Sequence, residues 1–487
     1  MTQRVLRYVA GAIGLLFVLI GLGLLLAPGR QSLMFAIFPS GPAGLSTVRA
    51  DLAGLFLGMG AFTVAGAAMA SDGVLMVPAA FLGAIALGRL LNLIADGPSP
   101  DALRSLVVEL VAIGVLVLTI LSVRRGQRQS TRALIVVPLL LLVGLATLYV
   151  FQRPIGMLLV RRFVADGLAN QLVTSLPDGL HAGLCGSGAP MPDPTRAGPC
   201  VLVIAGRHTF LVDVGEGGPR KLALMGVQPG QVDGVLLTHF HSDHIGGLGE
   251  LLLQRWGTGS HADQTPVYGP QGVELVVQGF NLAYSLDKGY RIAHHGEKTM
   301  PPSGSGGVAR PFSLPPDSDA PVVVLQQDGV TITAIPVNHT PVFPAVAYRF
   351  DYGGRSLVIS GDLAPSPSLV QAARGVDVLF HEGLQTTMVA ELQKAAEAVG
   401  RAPMAKITAD IPSYHTTPED AAREAAEAGV KQLVFFHTIP PLRSSLLNAA
   451  FLGDAARYFK GPITISTDGL LVSMPKGTTE ISQRNLL

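Results

Sequence analysis

Five long apolar runs occupy the first 151 residues and constrain this 487-residue chain more than anything else in it: 8–27, 52–70, 74–95, 105–123 and 133–151. Each has about the 20 residues needed to cross roughly 30 Å of hydrocarbon. Helices of soluble domains are typically amphipathic, whereas these are apolar all round. A cleaved leader fits poorly, because the first run is long, lacks a small-residue cleavage site and is followed by four more. The runs explain why only 14% of residues are charged, against about 25% in an ordinary soluble domain.

Arginines set the expected orientation, since basic loops stay cytoplasmic. Arg4 and Arg7 precede the first run, and Arg124, Arg125, Arg128 and Arg132 fill the loop between the fourth and fifth. With five spans both segments share the cytoplasmic side, so everything after Phe151 is expected outside the cytoplasmic membrane. Arg89 and Glu109 fall at similar depth in neighbouring antiparallel runs and are expected to pair, because an unpaired charge there is costly. The stretches VRADLAGLFLGMG and GRLLNLIADGPSP resemble a family of small four-span membrane domains of unknown function, which conveys topology and no activity.

After Phe151 the texture is that of a globular domain. Short β-branched runs such as VLVIAG, TFLVDVG, SLVISGD and KQLVFFHT alternate with Gly/Pro turns and read as strands. PEDAAREAAEAG reads as a helix capped by Thr417, and 301–319 as a Pro/Gly/Ser-rich loop. Strands in two groups with interleaved helices suggest a layered α/β sandwich. The expected organisation is a four-span membrane domain over 1–123, a fifth span and connector over 124–177, and a hydrolase domain over 178–487.

GVLLTHFHSDHIGGL places His239, His241, Asp243 and His244 within six residues, just after a strand. Imidazoles and carboxylate in this density suit zinc and related divalent ions. On an extended strand end His239 and His241 point the same way, and a turn at Ser242 lets Asp243 and His244 face a second ion. Cys185 and Cys200 flank GSGAPMPDPTRAG; outside the cytoplasm they are expected to form a disulfide, the alternative being two small buried apolar residues. His181, His208 and His261 read as surface residues, and His294 and His295 as loop residues or supports behind the ligands.

The histidine-rich string is similar to the signature of the metallo-β-lactamase superfamily. TFLVDVGEG resembles the strand that brings a structural carboxylate, Asp213, under the site. VNHTPVFPAVAYRF, SLVISGDLA and QLVFFHTIPP put His339, Asp362 and His437 at the family's remaining ligand positions. The resemblance implies an αββα sandwich holding two zinc ions or similar divalent metals. One is held by His239, His241 and His339, the other by Asp243, His244 and His437, with Asp362 shared. VDVLFHEG and SYHTTPEDAAREAAEAG are similar to the ribonuclease Z branch, implying His415 as general acid, Glu382 as its orienting partner and Asp243 as acceptor of the water's proton. The segments 185–206, 265–277 and 287–296 look like exported relatives of that branch, some described as arylsulfatases.

The long tRNA-gripping arm of ribonuclease Z has no counterpart here; only DYGGR separates two strands between His339 and Asp362. Eight lysines, none before Lys221, and a net charge of +1 also argue against nucleic acid. The expectation is therefore a membrane-anchored binuclear zinc hydrolase of phosphoric or sulfuric esters, working by metal-activated hydroxide attack. Its partners would be a small-molecule ester and a lipid bilayer, with no nucleic acid. The alternatives are a ribonuclease Z-like nuclease and a non-catalytic metal-binding sensor or scaffold.

Overall fold

The computed structural model describes residues 3–35, 41–95, 100–124, 156–157, 160–162, 164, 171–316 and 318–487. They fall into two compact units, Met1–Arg162 and Phe163–Leu487. The first contains helices α1 (Gln3–Leu26), α2 (Ala53–Met69), α3 (Asp72–Ala95) and α4 (Pro100–Arg124). Among the described residues four helices are long and apolar enough to cross a membrane, by length and composition. The expected fifth span, 133–151, lies outside the described residues.

Close approach of α1 and α2 depends on glycine. A Cβ on Gly60 would stand 2.6 Å from the Gly14 carbonyl oxygen, so the two backbones meet where neither has a side chain. Arg7 donates to the carbonyls of Ala67 and Ala68, both at 2.6 Å, satisfying acceptors that the end of α2 leaves open. The expected pair is present, with Arg89 Nε 2.5 Å from Glu109 Oε1.

The second unit is an αββα sandwich. Its first sheet collects β1 (Gly179–Gly186), β2 (Cys200–Ala205), β3 (His208–Val212), β4 (Gly234–Leu236), β5 (Thr265–Pro270) and β6 (Gly307–Phe312). The second holds β7 (Val322–Gln327), β8 (Val330–Pro336), β9 (Val346–Tyr352), β10 (Arg355–Ile359), β11 (Val378–Leu384), β12 (Gln432–Ile439) and β13 (Ile463–Ile465). The chain then returns, with β14 (Leu470–Pro475) and β15 (Ser482–Asn485), to the far edge of the first sheet.

Period-two alternation makes the layers. In β2, Val201 and Val203 join Leu180, Phe210, Ile332, Phe350, Phe380 and Val434 between the sheets. Leu202 and Ile204 face the other way, toward Leu222, Leu248, Leu251 and Val277 of the covering helices. On the opposite side Leu379, Leu433 and Phe435 pack against Ala421, Ala422 and Ala425.

Two readings of the sequence are corrected. The stretch 301–319, read as loop from its Pro, Gly and Ser content, contains β6; Pro311 is tolerated there because β6 is an edge strand, where a missing N–H costs no ladder bond. His181 is buried, with its ring nitrogens 2.8 Å from Ser473 Oγ and 2.9 Å from the Pro177 carbonyl oxygen. Cys185 and Cys200 are joined in a disulfide across β1 and β2.

Candidate metal centre

The site is assembled at one rim of the sandwich from both sheets. β4 stops at Leu236, and Asp213, just past β3, ties down the segment that leaves it. The Asp213 carboxylate accepts from Thr238 N, Thr238 Oγ1 and His244 Nδ1, each at 2.8 Å. Asp213 holds a left-handed backbone, φ 57°, which Asp tolerates better than most residues. With Nδ1 donating to Asp213, His244 has its Nε2 free toward the centre. His241 stands at the N-terminus of the one-turn helix Ser242–Ile245, which carries Asp243 and His244.

The other donors come from the second sheet. His339 follows β8, and its Nδ1 donates to the Tyr414 carbonyl at 2.9 Å, aiming Nε2 inward. Asp362 follows β10 behind Gly361, whose φ of 61° and closeness to Thr238 leave no room for a Cβ. His437 lies in β12 with φ 46°.

These residues converge. His239, His241, His339 and Asp362 form one group and Asp243, His244 and His437 another, with ligand atoms in each within 4.8 Å of one another. His244 Nε2 and His437 Nε2 stand 3.3 and 3.4 Å from Asp362 Oδ2. His437 Nε2 is 3.3 Å from Asp243 Oδ2, and His239 Nε2 is 3.1 Å from His241 Nδ1. Donors about 2 Å from a tetrahedral ion lie roughly 3.3 Å apart, so the spacing fits shared coordination. Buried His244 Nε2, His339 Nε2, His437 Nδ1 and Asp362 Oδ1 have no hydrogen-bond partner. Unsatisfied buried groups are costly, and cations remove that cost for the three that face the centre. The residues present therefore fit a pair of divalent ions, and the donor set suits zinc.

The electrostatics of the first group agree. Burial pushes the His239 imidazole well below its ordinary range, and those of His241 and His339 lower as well, favouring the neutral form that ligates. Burial works against the Asp362 carboxylate, but His437 and His244 outweigh it and hold its pKa well below the usual range. Asp243 is likewise lowered, its burial outweighed by His244 and His437.

Beside the ligands, His415 Nδ1 is 3.2 Å from Glu382 Oε1, which also accepts from Thr416 N at 2.8 Å. The His415 ring stacks 5.8 Å from that of His437. His294 and His295 end an exposed helix, Ser285–His295, and are in none of the metal-binding groups. Sequence reasoning missed Arg196, whose Nη1 donates to Thr438 Oγ1 at 2.5 Å, and Asp468, which accepts from Ser187 N, Ser187 Oγ and Ala197 N at 2.8–2.9 Å. Partners 242 to 281 residues apart leave no local pattern to read.

A family model described as the metallo-beta-lactamase superfamily matches residues 193–437. Ribonuclease Z of Mycobacterium bovis is 38% identical over 291 residues, covering 59% of this chain and 96% of that protein. Ribonuclease Z of Mycolicibacterium gilvum is 39% identical over 262 residues, 53% of this chain and 84% of that protein. Among solved structures, human tRNase Z, short form, aligns at 21% identity and a TM-score of 0.44, covering 61% of this chain and 99% of that one.

The two bacterial relatives, both named ribonuclease Z, overturn the expectation of a small-molecule ester substrate with no nucleic-acid partner. Counting lysines overlooked that most of the 35 basic residues are arginines, and net charge omits bound cations. The short turn in place of an arm does not discriminate either, because the match runs nearly end to end along the M. bovis protein.

Proposed function

We propose, for a chain that belongs to the metallo-β-lactamase superfamily, that this metal-dependent hydrolase is a phosphodiesterase that cleaves RNA. The observation that carries the reading is the match to ribonuclease Z along almost the whole of that enzyme, joined to a complete ligand set with His415 and Glu382 beside it.

His239, His241 and His339 would hold one ion and Asp243, His244 and His437 the other, with Asp362 between them. When bound, such ions lower the pKa of water toward neutrality and polarise a phosphoryl oxygen. Asp243 lies where a carboxylate can take the proton of the attacking water. His415 gives a proton to the leaving oxygen, and Glu382 fixes which ring nitrogen faces it: Nδ1 donates to the carboxylate, leaving Nε2 for the substrate. A groove of about 620 Å³ lined by Met191, Pro192, Asp193, Arg196, Glu216 and Arg443 carries two guanidinium groups and two carboxylates. Arginine forks suit phosphate oxygens, and Arg196 is anchored beside His437 through Thr438.

The test uses the zinc-loaded full chain with labelled RNA, DNA of the same sequence, and aryl sulfate and carboxylic esters. RNA should be cleaved, and chelation should stop it. Turnover of a sulfate or carboxylic ester with RNA untouched would overturn the reading.

The four long apolar helices support a membrane-anchored enzyme organised as 1–123, 124–177 and 178–487, with a fifth span over 133–151. The arginine distribution supports placing the hydrolase domain outside the cytoplasmic membrane, as does the disulfide, a bond rare among cytosolic proteins. Alkaline phosphatase fused after Leu487 should be active and a fluorescent cytosolic reporter dark; the reverse pattern would place the domain inside.

A further inference from the structure

Glu424 sits on the helix Pro418–Ala428, which Thr417 caps by accepting from Asp420 N at 3.1 Å. The residue is 8% exposed. One carboxylate oxygen accepts the Ser366 N–H at 2.6 Å, and the other meets His381 Nε2 at 3.0 Å. The His381 ring is fully buried, and its Nδ1 donates to the Glu382 carbonyl at 2.7 Å. A ring bonded to a carbonyl on one side and a carboxylate on the other donates from both nitrogens. Burial opposes that charged form, but the Glu424 carboxylate outweighs it and raises the His381 pKa.

As a contribution to stability this arrangement is poor, since desolvating two charges offsets most of their attraction. Its value lies in the groups it touches. Ser366 closes the loop that begins at Asp362. Glu382 is held at both its peptide groups, by Ser360 Oγ at its N–H (3.0 Å) and by His381 at its carbonyl. The side chain needs those anchors, because Oε1 alone carries the bonds to Thr416 and His415 while Oε2 is buried without a hydrogen-bond partner. The same helix opens three residues after His415.

We propose that Glu424, acting through His381, is a positioning residue that fixes the Glu382–His415 pair and tethers the Asp362 loop. The inference rests on the reading of His415 as proton donor. The experiment measures kcat, KM and zinc content of the full chain with Glu424→Gln, His381→Gln and His415→Ala, and with exposed Glu427→Gln as control. Each is assayed on RNA and on bis(4-nitrophenyl) phosphate, whose leaving group departs without a proton.

Glu424→Gln should lower kcat on RNA by about 10- to 100-fold, with KM and zinc content unchanged. The loss should shrink to about 3-fold or less on the nitrophenyl ester, which does not need the acid. His381→Gln keeps an N–H for the Glu382 carbonyl and loses the charge; it should show the same dependence and serves if Glu424→Gln does not fold. Equal losses on both substrates, in whichever variant folds, would mean a structural role only and overturn the proposal. If His415→Ala shows the leaving-group dependence and Glu424→Gln does not, positioning by Glu424 is wrong while the acid reading stands. If His415→Ala itself lacks that dependence, the acid reading fails and the positioning proposal falls with it.

Discussion

Replacing His239 or Asp362 with alanine should lower RNA cleavage by about 10³-fold or more. Supports behind metal ligands cost 10- to 100-fold when removed, and a ligand itself should cost more. His239 is wholly buried among His241, His244 and His339, with ring centroids 4.1–4.9 Å apart. His239→Ala would remove one donor proposed for the first ion. Asp362→Ala affects both sites, because Asp362 Oδ2 lies within 3.9 Å of His239, His244 and His437. Elemental analysis should therefore find about one zinc lost in the first variant and more in the second. Chelation followed by zinc should restore the parent chain and neither variant. Full hydrolysis by either variant would show that the cluster is not the catalytic centre.

His415→Ala should reduce kcat on RNA by about 10²- to 10⁴-fold, the usual contribution of general acid catalysis, with bound zinc unchanged. The pH dependence gives a sharper check. Burial works against the charged His415 ring, but the Glu382 carboxylate outweighs it and raises the pKa above the ordinary histidine value. A raised pKa keeps the donor protonated to higher pH, so the rate falls only as pH rises through that elevated value. Glu382→Gln removes the charge that raises it, so the alkaline limb should move to lower pH. An unmoved limb in Glu382→Gln, or zinc loss in His415→Ala, would assign the pair another role.

Much of this centre is legible because its chemistry is local. Three histidines and an aspartate between 239 and 244 have few other uses, and alternation in the strands places the layers. His339, Asp362 and His437 are isolated residues on separate elements, and only the resemblance singles them out. Arg196–Thr438 and Ser187–Asp468 are invisible for the same reason, since each joins distant segments across the fold. The error about β6 arose because Pro, Gly and Ser content reads as loop, whereas an edge strand tolerates a proline such as Pro311. The error about nucleic acid came from counting lysines and whole-chain net charge, which leaves out the arginines and any bound cations.

The division of the ligands between the two sheets has a thermodynamic consequence. His239, His241, Asp243 and His244 hang from the end of β4, whereas His339 and Asp362 follow β8 and β10 and His437 lies in β12. An ion pair bound among them is a cross-link between the two halves of the sandwich, so its binding energy is also folding energy. Free zinc at 100 times its dissociation constant adds about 2.7 kcal/mol to the folded state per independent site. Zinc binding would thus set the folding stability of the domain as well as its rate.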